Sequence, residues 1–142
     1  MKEKIFVDTW GWLVIHNKRE PKHDVVSTFY RKFREGGGIF YSTDYIFDET
    51  LTLLFRRLPF PLASKSMALL DKAVGQGYLK QEWITPKRVK EAKDLRLRFQ
   101  DKPDISFTDL TTMVVMRELD LKAILTADDH FIKIGLGFER VP

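Results

Sequence analysis

The 142-residue sequence contains no cysteine, and this absence excludes two kinds of protein. Without cysteine there is no disulfide framework of the kind that holds small secreted domains together. Structural zinc sites built from thiolates are excluded for the same reason. The composition is compatible with a reducing compartment, and we expect a cytoplasmic protein.

Long apolar runs are also missing, most clearly at the N-terminus. Lys2, Glu3 and Lys4 precede the first apolar residues, and Asp8 interrupts them soon afterwards. A membrane-spanning helix needs about 20 apolar residues, and a secretory signal needs about 7 to 15. We therefore expect neither a signal peptide nor a membrane span. Because internal repeats, linkers and low-complexity segments are absent too, we expect one domain over residues 1–142.

No single sign of charge dominates the chain. Its 24 Lys and Arg residues against 20 Asp and Glu residues give a net charge of +4. A mildly basic balance suits a partner that carries phosphates but does not identify one. Arg56, Arg57 and Lys87 are candidates for contacts with a nucleic-acid backbone, and a solvated helix face is the alternative for each of them.

Short apolar segments alternate with helical patterns along the whole chain. Strands are predicted at residues 5–7, 38–42, 78–84, 123–126 and 138–141. Helices are predicted at residues 24–34, 44–58, 62–74, 86–99 and 106–119, with a short helical turn after Trp10. This alternation predicts a three-layer α/β/α sandwich with a mainly parallel sheet of about five strands.

Helix starts are marked by capping residues. The expected N-caps are Asp24, Thr43, Thr85 and Ser106. In the first of these helices, Val25, Phe29 and Phe33 recur every four residues and are expected to form the core stripe. The apolar helix around Leu62–Leu70 is interpreted as core, with a dimer face as the alternative.

Two aspartates follow predicted strands and therefore belong at the carboxyl edge of the sheet, where ligands bind in open α/β folds. Asp8 ends the first strand, and Asp128 follows the strand at residues 123–126. Neighbouring strand ends lie about 5 Å apart, so two such acids can share a metal. Each of them is alternatively a cap for the following helix, and both interpretations stay open at this point.

Two further acids lie on predicted helices. Glu49 shares a stripe with Ile46 and Leu53, where an unpaired carboxylate would cost several kcal/mol unless a cation bound it. Its alternative is an ordinary surface glutamate. Asp109 lies in the first turn of its helix, where the dipole stabilises negative charge, and its alternative is a plain capping box with Ser106.

The preceding loop holds Asp104, which is either a further carboxylate of the site or a turn residue. Carboxylates that converge without cysteine or a histidine cluster repel one another unless a hard divalent cation lies between them. Oxygen ligands suit Mg²⁺ or Mn²⁺, which activate water for phosphodiester hydrolysis. His130 is the only histidine near these acids, and we interpret it as a helix-turn residue.

Taken in order, these motifs resemble the PIN domain and, within it, the VapC-like toxin ribonucleases. The matching segments are residues 5–9, Glu49 within residues 43–54, residues 104–109 and residues 126–131. The resemblance implies that the metal-binding and catalytic acids are Asp8, Glu49, Asp109 and Asp128. It also implies helper residues that orient ligands or water, with Asp104 as an auxiliary acid; the helpers are Thr9, Ser106 and Thr126.

The same resemblance implies a Mg²⁺- or Mn²⁺-dependent endoribonuclease that acts on RNA. Such proteins are frequently homodimers, and a cognate antitoxin inhibits those that belong to a toxin–antitoxin pair. An RNA-processing or RNA-binding module of the same fold, without a toxin role, is the alternative.

Two other classes with an aspartate after the first strand fit less well. A haloacid-dehalogenase-type phosphatase needs a second aspartate two residues after Asp8, and this position is Trp10. A receiver-type phosphoacceptor domain needs a lysine at a late strand end, and Thr126 is followed by none at that point.

Overall fold

The computed structural model describes residues 2–142 and contains a five-stranded sheet with the order β3-β2-β1-β4-β5. The strands are β1 (Lys4–Val7), β2 (Ile39–Thr43), β3 (Leu79–Glu82), β4 (Ala123–Leu125) and β5 (Glu139–Val141). Every neighbouring pair is parallel. The five predicted strands are therefore all present, each within two residues of its predicted start and end.

Seven helices connect these strands in the described part of the chain. They are α1 (Thr9–His16), α2 (His23–Glu35), α3 (Asp44–Arg57), α4 (Phe60–Gln76), α5 (Pro86–Arg98), α6 (Phe107–Glu118) and α7 (His130–Lys133). Helix α1 packs on α2 and α3, α3 packs on α4, and α5 packs on α6. Because crossovers between parallel strands are right-handed in nearly all proteins, the strand order implies that α1–α4 cover one face of the sheet and α5–α6 the other. The predicted three-layer α/β/α sandwich is confirmed.

The central strand β1 brings its C-terminal end to the middle of the sheet edge. Phe6 and Val7 are fully buried, as expected for a strand covered by helices on both faces. Val7 pairs with Leu125 of β4. Asp8 directly follows β1 and Thr126 directly follows β4. These two residues therefore lie side by side at the carboxyl edge.

A polar contact in the core fixes α1 against the sheet. The indole N–H of Trp12, on α1, donates to Ser42 Oγ at 3.2 Å, and this hydroxyl donates to the Val7 carbonyl at 3.0 Å. All three groups are buried, so each polar atom needs such a partner. The contact ties the helix after Asp8 to both β1 and β2.

Local capping chemistry sets most of the helix starts. Thr43, Thr85 and Ser106 each accept a hydrogen bond from the backbone N–H three residues on, as predicted. The predicted N-cap of α2 is wrong. The helix begins at His23 and its N-cap position is Lys22, two residues before the predicted Asp24, which lies in the first turn.

The buried stripe of α2 is also displaced by one position. Val25 is 63% exposed, whereas Val26 is 1% exposed and begins the stripe that continues through Phe29 and Phe33. Two adjacent valines are equally apolar, so only the packing of α2 on α1 decides which of them is buried.

Two other elements differ from their predictions. The predicted short turn after Trp10 is the two-turn helix α1. On α4, Leu62 and Leu69 are 53% and 44% exposed, so the interpretation of this helix as core holds only for its other face, which buries Ala63 and Leu70. The apolar residues of α4 lie on more than one face of the helix, and only one face packs against the rest of the fold. Within residues 2–142, no helix has both the length and the apolar character needed to cross a membrane.

Candidate metal-binding active site

Asp8 both caps α1 and lines a cleft at the carboxyl edge of the sheet. Its Oδ1 accepts the backbone N–H of Gly11 at 3.0 Å, which satisfies one of the free donors at the helix start. The side chain also faces the cleft, although the residue is only 7% exposed. The cap and the site interpretation are therefore both compatible with the geometry.

The four predicted acids line this same cleft, which has a volume of about 460 Å³. They reach it from four elements: Asp8 from the end of β1, Glu49 from α3, Asp109 from the first turn of α6 and Asp128 from the loop after β4. Glu49 itself is exposed and lines the cleft from its rim, so its predicted position on a buried stripe is only partly right. Of the predicted helpers, Thr9 and Ser106 also line it.

Burial, and to a smaller extent mutual repulsion, raises the pKa values of two of these acids. Burial raises the pKa of Asp8 to about 7; hydrogen bonds from Thr126 and Gly11 oppose this effect, and the charges of Asp109 and Asp128 add to it. Burial, followed by the charge of Asp128, raises the pKa of Asp109 to about 6. A cation between these carboxylates would favour their charged forms.

A tight turn after β4 orients Asp128. The Asp128 N–H donates to Thr126 Oγ1 at 3.0 Å, and the His130 N–H donates back to Asp128 Oδ1 at 2.8 Å. Thr126 is buried, and its hydroxyl opposes the rise in the pKa of Asp8. Thr126 therefore lies next to both strand-end acids.

Sequence reasoning missed the position of His130. The residue does begin α7, but its Nδ1 also lies 3.0 Å from Asp128 Oδ1 and 3.9 Å from Asp109 Oδ2. One ligand atom of each of these three residues lies within 4.8 Å of the other two. The spacing of two residues between Asp128 and His130 was the available signal for it.

A fixed loop leads to the helix that carries Asp109. The guanidinium of Arg96 donates to the carbonyls of Ile105, Phe99 and Lys102 at 2.6, 2.9 and 2.6 Å. Ser106, at the end of this loop, caps α6 by accepting the Asp109 N–H at 3.0 Å. Asp104 is exposed in the same loop and does not line the cleft, so the geometry gives no support to its auxiliary role.

The donor set suits a hard divalent cation. The Thr9 hydroxyl is buried beside Asp8 and has no hydrogen-bond partner among residues 2–142. Carboxylate and hydroxyl oxygens are the ligands that Mg²⁺ and Mn²⁺ prefer, and Mn²⁺ also accepts an imidazole. The residues present therefore fit either ion.

Arg56, Arg57 and Lys87, the three predicted candidates for phosphate contacts, lie at different places on the structure. Arg57 lines the cleft together with the acids, and Arg56 does not. Lys87 lines a different groove, between α5 and α6. Arg57 is therefore the only one of the three that the fold brings to the acids.

Comparison with known proteins supports the fold class. Neither the protein-family models nor the curated proteins give a match. Among solved structures, the VapC20 toxin of Mycobacterium tuberculosis, described as cleaving the sarcin-ricin loop, superposes with a TM-score of 0.75 at 23% identity, over 92% of this chain and 95% of that one. VapBC2 of Rickettsia felis, solved with a DNA fragment from its promoter, superposes with a TM-score of 0.66 at 13% identity, over 98% of this chain and 99% of that one.

These likenesses define the class of the fold. The chain has the α/β/α fold of the VapC structures, which confirms the predicted PIN-like fold class. At this level of identity the likeness concerns the fold, and the chemistry is argued below from the residues of this chain.

Proposed function

We propose that this protein is a Mg²⁺- or Mn²⁺-dependent endoribonuclease and the toxin of a type II toxin–antitoxin pair. The observation that carries the proposal is the convergence of Asp8, Glu49, Asp109 and Asp128 in one cleft at the carboxyl edge of the sheet. The two similar structures are a toxin described as cleaving RNA of the sarcin-ricin loop and a VapBC complex, which favours this function over other chemistries of the fold.

The proposed roles follow from how the chain holds each group. Asp8, Asp109 and Asp128 would hold the cation, with Glu49 binding it directly or through water from the rim of the cleft. Thr126 orients Asp128 by accepting its backbone N–H, and it would also help to hold Asp8, whose pKa its hydroxyl lowers. The bound ion would supply Lewis-acid activation of water and would offset charge on the phosphate.

Arg57 provides positive charge at the same cleft as the acids. We propose that it contacts a substrate phosphate next to the scissile bond, because RNA carries one negative charge per nucleotide and the acids themselves repel it. Thr9 and Ser106 line the cleft beside the acids and would orient ligands or water there. Asp104 remains a proposed auxiliary acid without geometric support.

The same proposal includes a partner and a location. We propose that a cognate antitoxin inhibits the protein, that the protein acts as a homodimer in the cytoplasm, and that residues 1–142 form one nuclease domain. The exposed apolar residues of α4, among them Leu62 and Leu69, offer area for such contacts.

The decisive experiment compares wild type with Asp8→Asn on a panel of RNAs, with Mn²⁺, with Mg²⁺ and with EDTA. We expect cleavage by wild type in either metal, none in EDTA, and a loss of at least about a hundredfold in the variant. Asp48→Asn is the matched control, because Asp48 is an exposed acid on α3 that does not line the cleft. Equal cleavage by wild type and Asp8→Asn would refute the nuclease function.

A second measurement separates the toxin from an RNA-binding or RNA-processing module of the same fold. Induced expression in a bacterial host is expected to arrest growth with wild type and Asp48→Asn, and not with Asp8→Asn. Growth arrest that persists in Asp8→Asn would indicate a binding module without turnover.

A further inference from the structure

Trp10 lies next to the acids and has no role in the function as proposed so far. It follows Asp8 and Thr9 in the first turn of α1, and its side chain is only partly buried against the core. The indole lines the acidic cleft on one side. It also lines a second, smaller cavity, so that the indole lies between the two.

The second cavity has a volume of about 160 Å³ and a different character from the cleft. Val25 and Val141 line it together with the indole of Trp10. Lys22 and Arg140 also line it, and the Arg140 guanidinium is paired with Asp129. Among the described residues, no aspartate or glutamate side chain lines it. The charge of Lys22 beside apolar side chains fits the phosphate and base of a nucleotide.

The two cavities are neighbours, because Trp10 and Ala127 line both of them. A nucleotide whose phosphate lies among the acids would therefore have its base within reach of the indole and of the second cavity. Sites for whole small molecules typically have about 300–1,000 Å³, so this cavity suits a single ring system rather than a separate metabolite.

We propose that Trp10 and the second cavity form a base-binding subsite, which receives the unpaired nucleobase next to the scissile phosphate. The proposal rests on the nuclease function and adds to it the requirement for an unstacked base. Proteins that read RNA typically bind such splayed bases on aromatic side chains, and stacking tolerates different bases because each has a π-face. Lys22 is exposed and makes no ion pair within residues 2–142, so it is available to a substrate phosphate.

The test uses a short single-stranded oligoribonucleotide whose cleavage position has been mapped with wild type and Mn²⁺. A series of substrates then carries one abasic nucleotide at each position around the scissile phosphate. For wild type, we expect a loss of about 5- to 150-fold in kcat/KM at one flanking position, which is the effect of removing one stacked base. Abasic nucleotides further from the scissile bond should have little effect.

The variants decide whether Trp10 makes this contact. In Trp10→Ala the loss at the sensitive position should disappear, because the base then has no stacking partner, whereas Trp10→Phe should retain part of it. Lys22→Ala, an exposed change that leaves the core intact, should raise KM with little change in kcat. Trp83→Ala is the matched control, because Trp83 is 63% exposed and lines neither cavity.

The outcomes separate this proposal from the nuclease function. Absence of metal-dependent cleavage by wild type would refute the nuclease function, and the subsite with it. Cleavage that is insensitive to every abasic position, or a loss that is the same in Trp10→Ala as in wild type, would refute the subsite alone. A structural role of Trp10 would lower the melting temperature and kcat for all substrates equally, without a preference for one position.

Discussion

Replacing Asp8 by asparagine should stabilise the metal-free protein above neutral pH while removing its activity. The substitution keeps the cap of α1, because an asparagine oxygen accepts the Gly11 N–H about as well as aspartate does. It removes a carboxylate whose pKa burial raises to about 7. The folded protein therefore loses the free-energy cost of ionising that group.

The size of the effect follows from the pKa. A rise from 3.8 to about 7 corresponds to about 4 kcal/mol once the group is fully ionised. Because the pKa is higher in the folded state, ionisation destabilises the wild-type fold as the pH rises from about 4 through about 7. Below pH 4 Asp8 is protonated in both folded and unfolded chains, and the two proteins should have similar stability.

The assay is thermal unfolding of wild type, Asp8→Asn and the control Asp48→Asn, in EDTA, from pH 4 to pH 8. We expect the melting temperature of Asp8→Asn to exceed that of wild type by roughly 12 °C at pH 8, since 1 kcal/mol corresponds to about 3 °C for a domain of this size. At pH 4 the difference should vanish. A difference that does not change with pH would refute the reasoning from burial.

Metal should reduce the difference in stability between the two proteins. A cation at 100 times its dissociation constant stabilises the folded state by about 2.7 kcal/mol, and Asp8→Asn lacks one of the carboxylates proposed to bind it. Mg²⁺ or Mn²⁺ at pH 8 is therefore expected to raise the melting temperature of wild type and Asp48→Asn, and to leave Asp8→Asn nearly unchanged. Equal stabilisation of all three proteins would show that the ion binds elsewhere.

Three further predictions concern neighbouring parts of the site. Gly11→Ala should destabilise the protein by about 1–3 kcal/mol in urea unfolding, because the added Cβ would lie 2.7 Å from a side-chain carbon of Val7 in β1. Gly75→Ala is the control and should be neutral or stabilising, because a Cβ added there would have no neighbouring atom within 4 Å. Arg57→Ala should raise KM for RNA by about tenfold or less, because one exposed charge contributes on the order of 1 kcal/mol, and Arg56→Ala should not change KM. His130→Ala should weaken Mn²⁺ binding in calorimetry by about 10- to 100-fold, and unchanged affinity would exclude a role for the imidazole at the site.

The sequence was most informative where a structure depends on neighbouring residues. The caps at Thr43, Thr85 and Ser106 could be predicted because each side chain bonds to a backbone group three residues away. The cleft position of Asp8 and Asp128 could be predicted because both follow parallel strands, whose C-terminal ends meet at one edge. No long-range information was needed for either conclusion.

The sequence was least informative where packing between elements makes the decision. Val25 and Val26 differ only in which of them faces α1. The spacing of His130 from Asp128 indicates their contact, but it does not indicate that the imidazole also lies 3.9 Å from Asp109, which belongs to another element. The cavity beside Trp10 likewise needs residues from α1, α2 and the last strand together.

The charges around the cleft argue that its acids serve an external ligand rather than the fold. A purely structural cap at position 8 would be served equally well by serine or asparagine, neither of which carries a charge into a buried position. Within residues 2–142, no lysine or arginine lies within ion-pair distance of Asp8, Glu49, Asp109 or Asp128, although Arg57 lines the same cleft. Elsewhere some acids are paired, since Arg88 bonds to both Glu82 and Glu118, and Arg140 bonds to Asp129. In the cleft, by contrast, the buried Asp8 has no such partner among the described residues, which supports the proposed cation site.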